Sequence, residues 1–64
     1  MRIGTITSLP DHYSEYARIT DQDGRSFTVE PSNIPEGAKL GANYAYKVEI
    51  YGNDSGLAYA LQKK

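Results

Sequence analysis

Tyr16 and Arg18 carry the side chains of this sequence that are best suited to binding chemistry. A tyrosine ring can stack on a nucleotide base, and a guanidinium two residues further on can pair with a phosphate. The same side chains could instead support a β-sheet, with Arg18 opposite Glu30 or Thr28 on a neighbouring strand. The sequence leaves both interpretations open.

The residues just before this pair offer candidates for further stacking and for acid–base chemistry. His12 and Tyr13 could extend a stacking surface, although the sequence favours a solvated loop here. Asp11, His12 and Glu15 have side chains that can transfer protons. No nucleophile motif or phosphate-binding loop accompanies them, so we expect no enzyme activity. With one histidine and no cysteine, we expect neither a metal site nor a cofactor.

These candidates lie in or beside a predicted β-hairpin. Two runs rich in β-branched and aromatic residues flank Asp21-Gln22-Asp23-Gly24, and Asp-Gly is a strong hairpin signal. Both runs alternate with a period of two. The face predicted to join the core carries Ala17, Ile19, Phe27 and Val29. The outward face carries Tyr16, Arg18, Thr20, Thr28 and Glu30.

A first strand is predicted over residues 1–9, where β-branched residues are frequent. Ile3 and Ile6 are three residues apart, so a regular strand cannot point both of them inward. Gly4 between them therefore predicts a bulge or a sharp bend.

Residues 31–43 contain two prolines and two glycines and predict a long connection. Within it we expect one short helical turn, with Ser32 as its cap and Ile34 as an apolar plug. A strand is predicted at 44–51, a turn at 52–56 and a last strand at 57–61. In the first of these, one face is predicted to carry Tyr44, Tyr46, Val48 and Ile50.

The composition bounds the class of protein. Sixty-four residues form one domain, 1–64, with a net charge of −1 and a pI of about 5.6. No basic run is present, which argues against strong binding to duplex DNA but not against single strands. No signal peptide, membrane-spanning run or lipidation motif is recognisable, so we expect a cytoplasmic protein without a membrane partner.

Five short strands in a hairpin-rich order, with one long connection, predict an all-β fold. The class expected is a small five-stranded antiparallel Greek-key barrel that is OB-like, because closing the sheet removes its edges. The residues predicted to fill its core are Ile6, Ile19, Phe27, Val29, Ile34, Tyr44 and Tyr46.

The same pattern resembles the cold-shock domain, a small OB-fold that binds single-stranded RNA and DNA. Residues 15–20 stand where that family has its Gly-Phe-Gly-Phe-Ile motif, and residues 27–34 where it has Val-Phe-Val-His-Phe-Ser-x-Ile. Of the family's stacking aromatics in these motifs, this chain keeps Tyr16, while Arg18 and Thr28 replace two others. Further similarity is found at residues 4–6, 23–24, 41–46 and 55–58.

The resemblance implies a non-enzymatic protein that binds single-stranded DNA or RNA weakly, through stacking and electrostatics on its second and third strands. Tyr16, Arg18 and Thr28 would lie at the centre of this face, with Ser8, Tyr13 and His12 at its edge.

An alternative of another class is a protein-interaction module that has lost nucleic-acid binding and acts as a regulator or inhibitor of a protein partner. Its contacts would run through Glu30, Tyr51 or Tyr59, or a homodimer would form through a strand edge.

Overall fold

The computed structural model describes residues 2–52 and 55–64. These residues form β1 (Arg2–Ser8), β2 (Ala17–Asp21), β3 (Ser26–Val29), a 3-10 turn (Pro31–Asn33), β4 (Asn43–Ile50) and β5 (Gly56–Lys63). The strands close into one barrel in the order β1-β2-β3-β5-β4. The predicted all-β class and five-stranded barrel are thereby confirmed. Met1 of the predicted first strand and residues 53 and 54 of the predicted turn lie outside the described residues.

One strand pair differs from the predicted antiparallel arrangement. β3 and β5 run parallel, with Thr28 beside Leu57 and Val29 beside Ala58, whereas the other four neighbouring pairs are antiparallel. An odd number of strands cannot alternate in direction around a closed ring. Closing five strands into a barrel therefore requires at least one parallel pair.

The predicted hairpin is present as β2 and β3. Ala17 pairs with Val29, and Ile19 pairs with Phe27. The amide of Asp21 donates to the carbonyl of Arg25 over 2.7 Å, and the turn between them contains Gly24 at a φ of +90°. Glycine adopts this left-handed conformation without steric cost. The Asp-Gly signal therefore predicts the turn for a local, physical reason.

The barrel interior contains most of the predicted core. Tyr46, Ile19 and Val29 are fully buried, and the other buried members of the prediction are Ile6, Phe27 and Tyr44. Ile34 is half-buried and packs against this cluster after the 3-10 turn. Ala17 and Ala58 complete the interior, where small side chains leave room for the tyrosine rings.

The face of the fourth strand that was predicted to carry Tyr44, Tyr46, Val48 and Ile50 is buried at one end only. Tyr44 and Tyr46 are buried and Val48 is half-buried, but Ile50 is 52 % exposed. Among the described residues, β1 pairs with β4 only from Asn43 to Tyr46. Ile50 therefore lies on the same face as Tyr44 and Tyr46, but beyond the part of β4 that pairs with β1.

Gly4 does not form the predicted bulge. It pairs regularly with Asp21 and Tyr44, and the register of β1 shifts between Ile6 and Ser8 instead. A Cβ atom at Gly4 would lie 2.7 Å from the carbonyl oxygen of Thr20. Glycine is present here because neighbouring strands approach closely.

The predicted helical turn after β3 is present, but its cap is not Ser32. Glu30 occupies the cap position without a side-chain hydrogen bond, and Pro31 is the first residue of the turn. Proline favours this position because its fixed φ suits a helical turn and its missing N–H is not needed there. Ser32 thus lies inside the turn.

Candidate functional site

The outward face of β2 and β3 forms one wall of an open cleft of about 400 Å³. Arg18 lies directly opposite Thr28 in the strand register. This wall is made by Arg18, Ser26 and Thr28 in the strands, with Tyr16 just before β2 and Glu30 just after β3. The other side is formed by Ser55 and by the first two residues of β5, Gly56 and Leu57. The parallel pairing of β3 with β5 brings these two parts of the chain together.

A second, smaller cleft of about 180 Å³ lies on the other side of the same residues. Tyr16, Arg18 and Thr28 contribute to both clefts. Ser8 and Ser14 line the smaller cleft. The structure therefore brings together four of the six predicted site residues, Tyr16, Arg18, Thr28 and Ser8, on one continuous surface.

The loop before β2 holds Tyr16 through a defined turn. The Oδ1 atom of Asp11 accepts hydrogen bonds from the amides of Tyr13 at 2.8 Å and Ser14 at 3.0 Å. The Oγ atom of Ser14 accepts a hydrogen bond from the amide of Tyr16 at 3.2 Å. Asp11 thus acts as a turn residue through Oδ1. Its role as an Asx-turn residue was missed in the sequence, although Asp is typical of such turns.

The two outermost predicted residues lie on this turn but outside the described walls of the clefts. Tyr13 is 96 % exposed, and His12 is also exposed. Tyr16 differs from both, since it is 43 % exposed and lines the two clefts. The ring of Tyr16, which is less exposed than that of Tyr13, is consequently the better stacking surface, because less of its freedom remains to be lost on binding.

Arg18 forms no ion pair within the described part of the barrel. Among residues 2–52 and 55–64, Arg2 lies 3.2 Å from Asp21 and Arg25 lies 4.0 Å from Asp23, but Arg18 has no ion-pair partner. Of the two cross-strand partners considered for Arg18, the register places Thr28 opposite it. Among the described residues, no carboxylate therefore neutralises the charge of Arg18.

A row of hydroxyl groups crosses β1, β2 and β3 beside the cleft. The Oγ1 atoms of Thr7 and Thr20 lie 2.9 Å apart, and Thr20 Oγ1 lies 3.0 Å from Ser26 Oγ. Ser26 belongs to the larger cleft. Sequence alternation indicated that Thr20 points outward, but it gave no sign of this row, because the register of β1 against β2 is not readable from the sequence.

A polar cluster lies at the opposite edge of the hairpin. The hydroxyl of the buried Tyr46 donates to Asp21 Oδ2 over 2.6 Å, and Arg2 Nη1 lies 3.2 Å from the same oxygen. Burial, and then the hydrogen bond to Asp21, raise the pKa of Tyr46 well above its usual 10.0. The Tyr46 hydrogen bond, followed by that from Arg2, outweighs desolvation and lowers the pKa of Asp21 below its usual 3.8. This cluster stabilises the fold, and none of its three residues lines either cleft.

A more apolar surface lies on β4 and β5. Ile50 and Tyr59 are 52 % and 39 % exposed and line a groove of about 590 Å³, together with Val48. Tyr51 follows at 62 % exposure. Partial desolvation, and then the carboxylates of Glu49 and Glu30, raise the pKa of Tyr51 above its usual 10.0. Tyr51 therefore lies near two carboxylates, whereas the groove that contains Tyr59 is also lined by the cations Arg2 and Lys47.

Metal ligands do not cluster in the part of the chain that the structure describes. Within residues 2–52 and 55–64, no three His, Cys, Asp or Glu side chains gather as metal ligands would. In the same residues, no helix has the length and apolar character needed to cross a membrane.

The chain matches no protein-family model, no curated protein and no solved structure. The function of the clefts is therefore argued from their geometry and chemistry.

Proposed function

We propose that this protein binds single-stranded nucleic acid, DNA or RNA, without catalysing a reaction, on the outward face of β2 and β3. One observation carries the proposal: Tyr16 lies half-exposed between two clefts, beside an Arg18 that has no ion-pair partner among the described residues. A flat ring next to a guanidinium is the combination that binds a base and its phosphate.

The fold proposed for this function is an OB-like Greek-key barrel similar to the cold-shock domain. OB-folds bind oligonucleotides on strands 2 and 3 and on the loops that join strands 1 to 2 and 4 to 5. The larger cleft lies on β2 and β3 and reaches Ser55, between β4 and β5. The smaller cleft reaches Ser14, between β1 and β2. This coincidence of place supports the proposal.

Binding is expected to be weak and only slightly sensitive to salt. Stacking contributes roughly 1–3 kcal/mol per base, and the clefts offer one aromatic ring where several would be needed for tight binding. Arg18 is the one cation in their described walls. Each phosphate contact contributes about −0.7 to the logarithmic salt slope of single-strand binding, so a slope near this value is expected.

Replacing Tyr16 tests the stacking mechanism. We expect Tyr16→Ala to weaken binding of a fluorescein-labelled single-stranded DNA of mixed sequence by roughly 5- to 150-fold, measured by fluorescence anisotropy. Tyr16→Phe should retain most of the affinity, because the ring remains.

Lys64→Ala is the matched control for this series, since Lys64 is exposed and lies outside the clefts. Equal losses from Tyr16→Ala and Lys64→Ala would contradict stacking and leave only unspecific attraction between charges.

The second candidate function is the protein-interaction module, as a regulator or inhibitor of a protein partner or as a homodimer. The observation in its favour is the exposed apolar surface of Ile50, Tyr51 and Tyr59, because tyrosine is enriched at interfaces. Light scattering of the pure protein distinguishes the homodimer. A dimer that Tyr59→Ala converts to monomer would support this candidate, and a monomer at all concentrations would remove the homodimer from it.

The cytoplasmic location stays a prediction.

A further inference from the structure

The larger cleft contains a negative charge that a general nucleic-acid surface would not need. Glu30 is exposed and lines the cleft together with Tyr16 and Arg18. Continuing the register from the pair of Ala17 and Val29 places Glu30 across from Tyr16. Within the described residues, no cation pairs with its carboxylate.

This carboxylate determines which part of a nucleotide can lie at each end of the cleft. A phosphate beside Glu30 would place two negative charges together, which is unfavourable at short distance even in water. Arg18 and the hydroxyls of Ser8 and Ser14, at the smaller cleft, form the end that suits a phosphate. The base is then left in the larger cleft, against Tyr16 and within reach of Glu30.

The ionised carboxylate accepts hydrogen bonds and donates none. It therefore favours a base that presents N–H donors on its exposed edge. Guanine presents two adjacent donors on its Watson–Crick edge, N1–H and the N2 amine, which match the two oxygens of a carboxylate. Adenine and cytosine offer one amine group beside an acceptor nitrogen. Thymine and uracil offer one N–H between two carbonyl oxygens that the carboxylate repels.

We propose that Glu30 makes the larger cleft selective for guanine, with the base stacked on Tyr16 and its Watson–Crick edge hydrogen-bonded to the carboxylate. The inference rests on the proposed binding of single strands and adds a base preference to it. The cleft of about 400 Å³ falls in the usual range of small-ligand sites, roughly 300–1,000 Å³.

The preference is measurable with four single-stranded DNAs of eight nucleotides that differ only at one central base. We expect the guanine strand to bind about tenfold more tightly than the thymine strand, since a bidentate contact of this kind discriminates by roughly 5- to 150-fold. A fifth strand with hypoxanthine in place of guanine lacks the N2 amine and should bind with intermediate affinity.

Glu30→Gln is the decisive variant. It should bring the guanine strand to within about twofold of the thymine strand, while binding of the thymine strand stays equal or improves because a negative charge is removed. The variant is expected to fold, because the Glu30 side chain makes no capping hydrogen bond to the 3-10 turn. Glu36→Gln, at an exposed site outside the cleft, removes the same charge and should keep the preference.

The outcomes separate this inference from the function on which it rests. Equal binding of all four strands by the wild type would overturn guanine selectivity and leave single-strand binding intact. A preference that persists in Glu30→Gln would overturn the role of Glu30. No binding of any strand would overturn both proposals.

Discussion

Asp21 links the stability of the protein to pH. Its carboxylate accepts the 2.6 Å hydrogen bond from Tyr46 and lies 3.2 Å from the Arg2 guanidinium. Both contacts favour the ionised form, and the pKa of Asp21 is lowered from 3.8. The stabilisation is therefore fully present at pH values well above the unfolded pKa of 3.8. It begins to decline near about pH 5 and is lost as the pH falls through the lower pKa of the folded state.

Asp21→Asn should accordingly lower the free energy of unfolding at pH 7 by about 1–3 kcal/mol. It should also flatten the dependence of stability on pH below pH 5. Urea unfolding followed by circular dichroism at several pH values measures both effects. Glu36→Gln, an exposed carboxylate replaced in the same way, should behave like the wild type. A pH dependence unchanged in Asp21→Asn would contradict the assignment.

A substitution at Gly4 tests whether the neighbouring strands approach each other closely at this residue. The added Cβ of Gly4→Ala would meet the Thr20 carbonyl oxygen at 2.7 Å and the Tyr46 ring at 3.0 Å. We expect a loss of about 1–3 kcal/mol of stability by chemical denaturation, as for other overpacked sites. Gly52→Ala is the control, because a Cβ there meets nothing within 4 Å. Similar stabilities for the two variants would show that the strands do not approach so closely.

At the scale of the element, β5 contains a left-handed residue, Ala60, that its sequence does not predict. Ala60 has a φ of 55°, in the left-handed region. The register between β4 and β5 shifts between Ala45 and Lys47, so Ala60 and Leu61 together face Tyr46. One extra residue in a left-handed conformation makes a bulge of the type that normally uses glycine.

Ala60→Gly should therefore raise the stability, by up to about 1 kcal/mol. Removing the left-handed strain contributes about 1–2 kcal/mol, and the greater freedom of the unfolded chain offsets part of it. Thermal unfolding should show a midpoint several degrees higher. Ala58→Gly, at a buried site in the same strand, should instead lower the midpoint. A fall in both variants would contradict the bulge geometry.

The elements differ in how far the sequence predicts them. The β2–β3 hairpin follows from local turn chemistry, since Gly24 meets the left-handed conformation directly. The bulges in β1 and β5 depend on where the strands meet after the barrel closes. The sequence therefore predicted the β1 bulge at Gly4, which is the wrong position, and predicted no bulge at Ala60. The exposure of Ile50 also depends on barrel closure. Alternation predicts which residues share a face of the strand, but not how far along the strand that face is buried.

At the scale of the whole molecule, the candidate site is assembled by barrel closure. Tyr16, Arg18 and Thr28 belong to one hairpin and could be proposed from the sequence. The opposite wall of the larger cleft, residues 55–57, joins them only through the parallel pairing of β3 with β5. No local pattern predicts a contact at that sequence separation, so the sequence indicated the outward face but not the cleft beside it.

We propose above all that the outward face of β2 and β3 binds single-stranded nucleic acid. An amide NMR titration with a short single-stranded oligonucleotide of mixed sequence at low salt tests this most directly. The amide signals of Tyr16, Arg18 and Thr28 should shift together and saturate at one common dissociation constant, with Gly56 in the opposite wall following them. Signals that do not move, or movement confined to Tyr51 and Tyr59 on the other surface, would contradict the proposed site and direct attention to a protein partner.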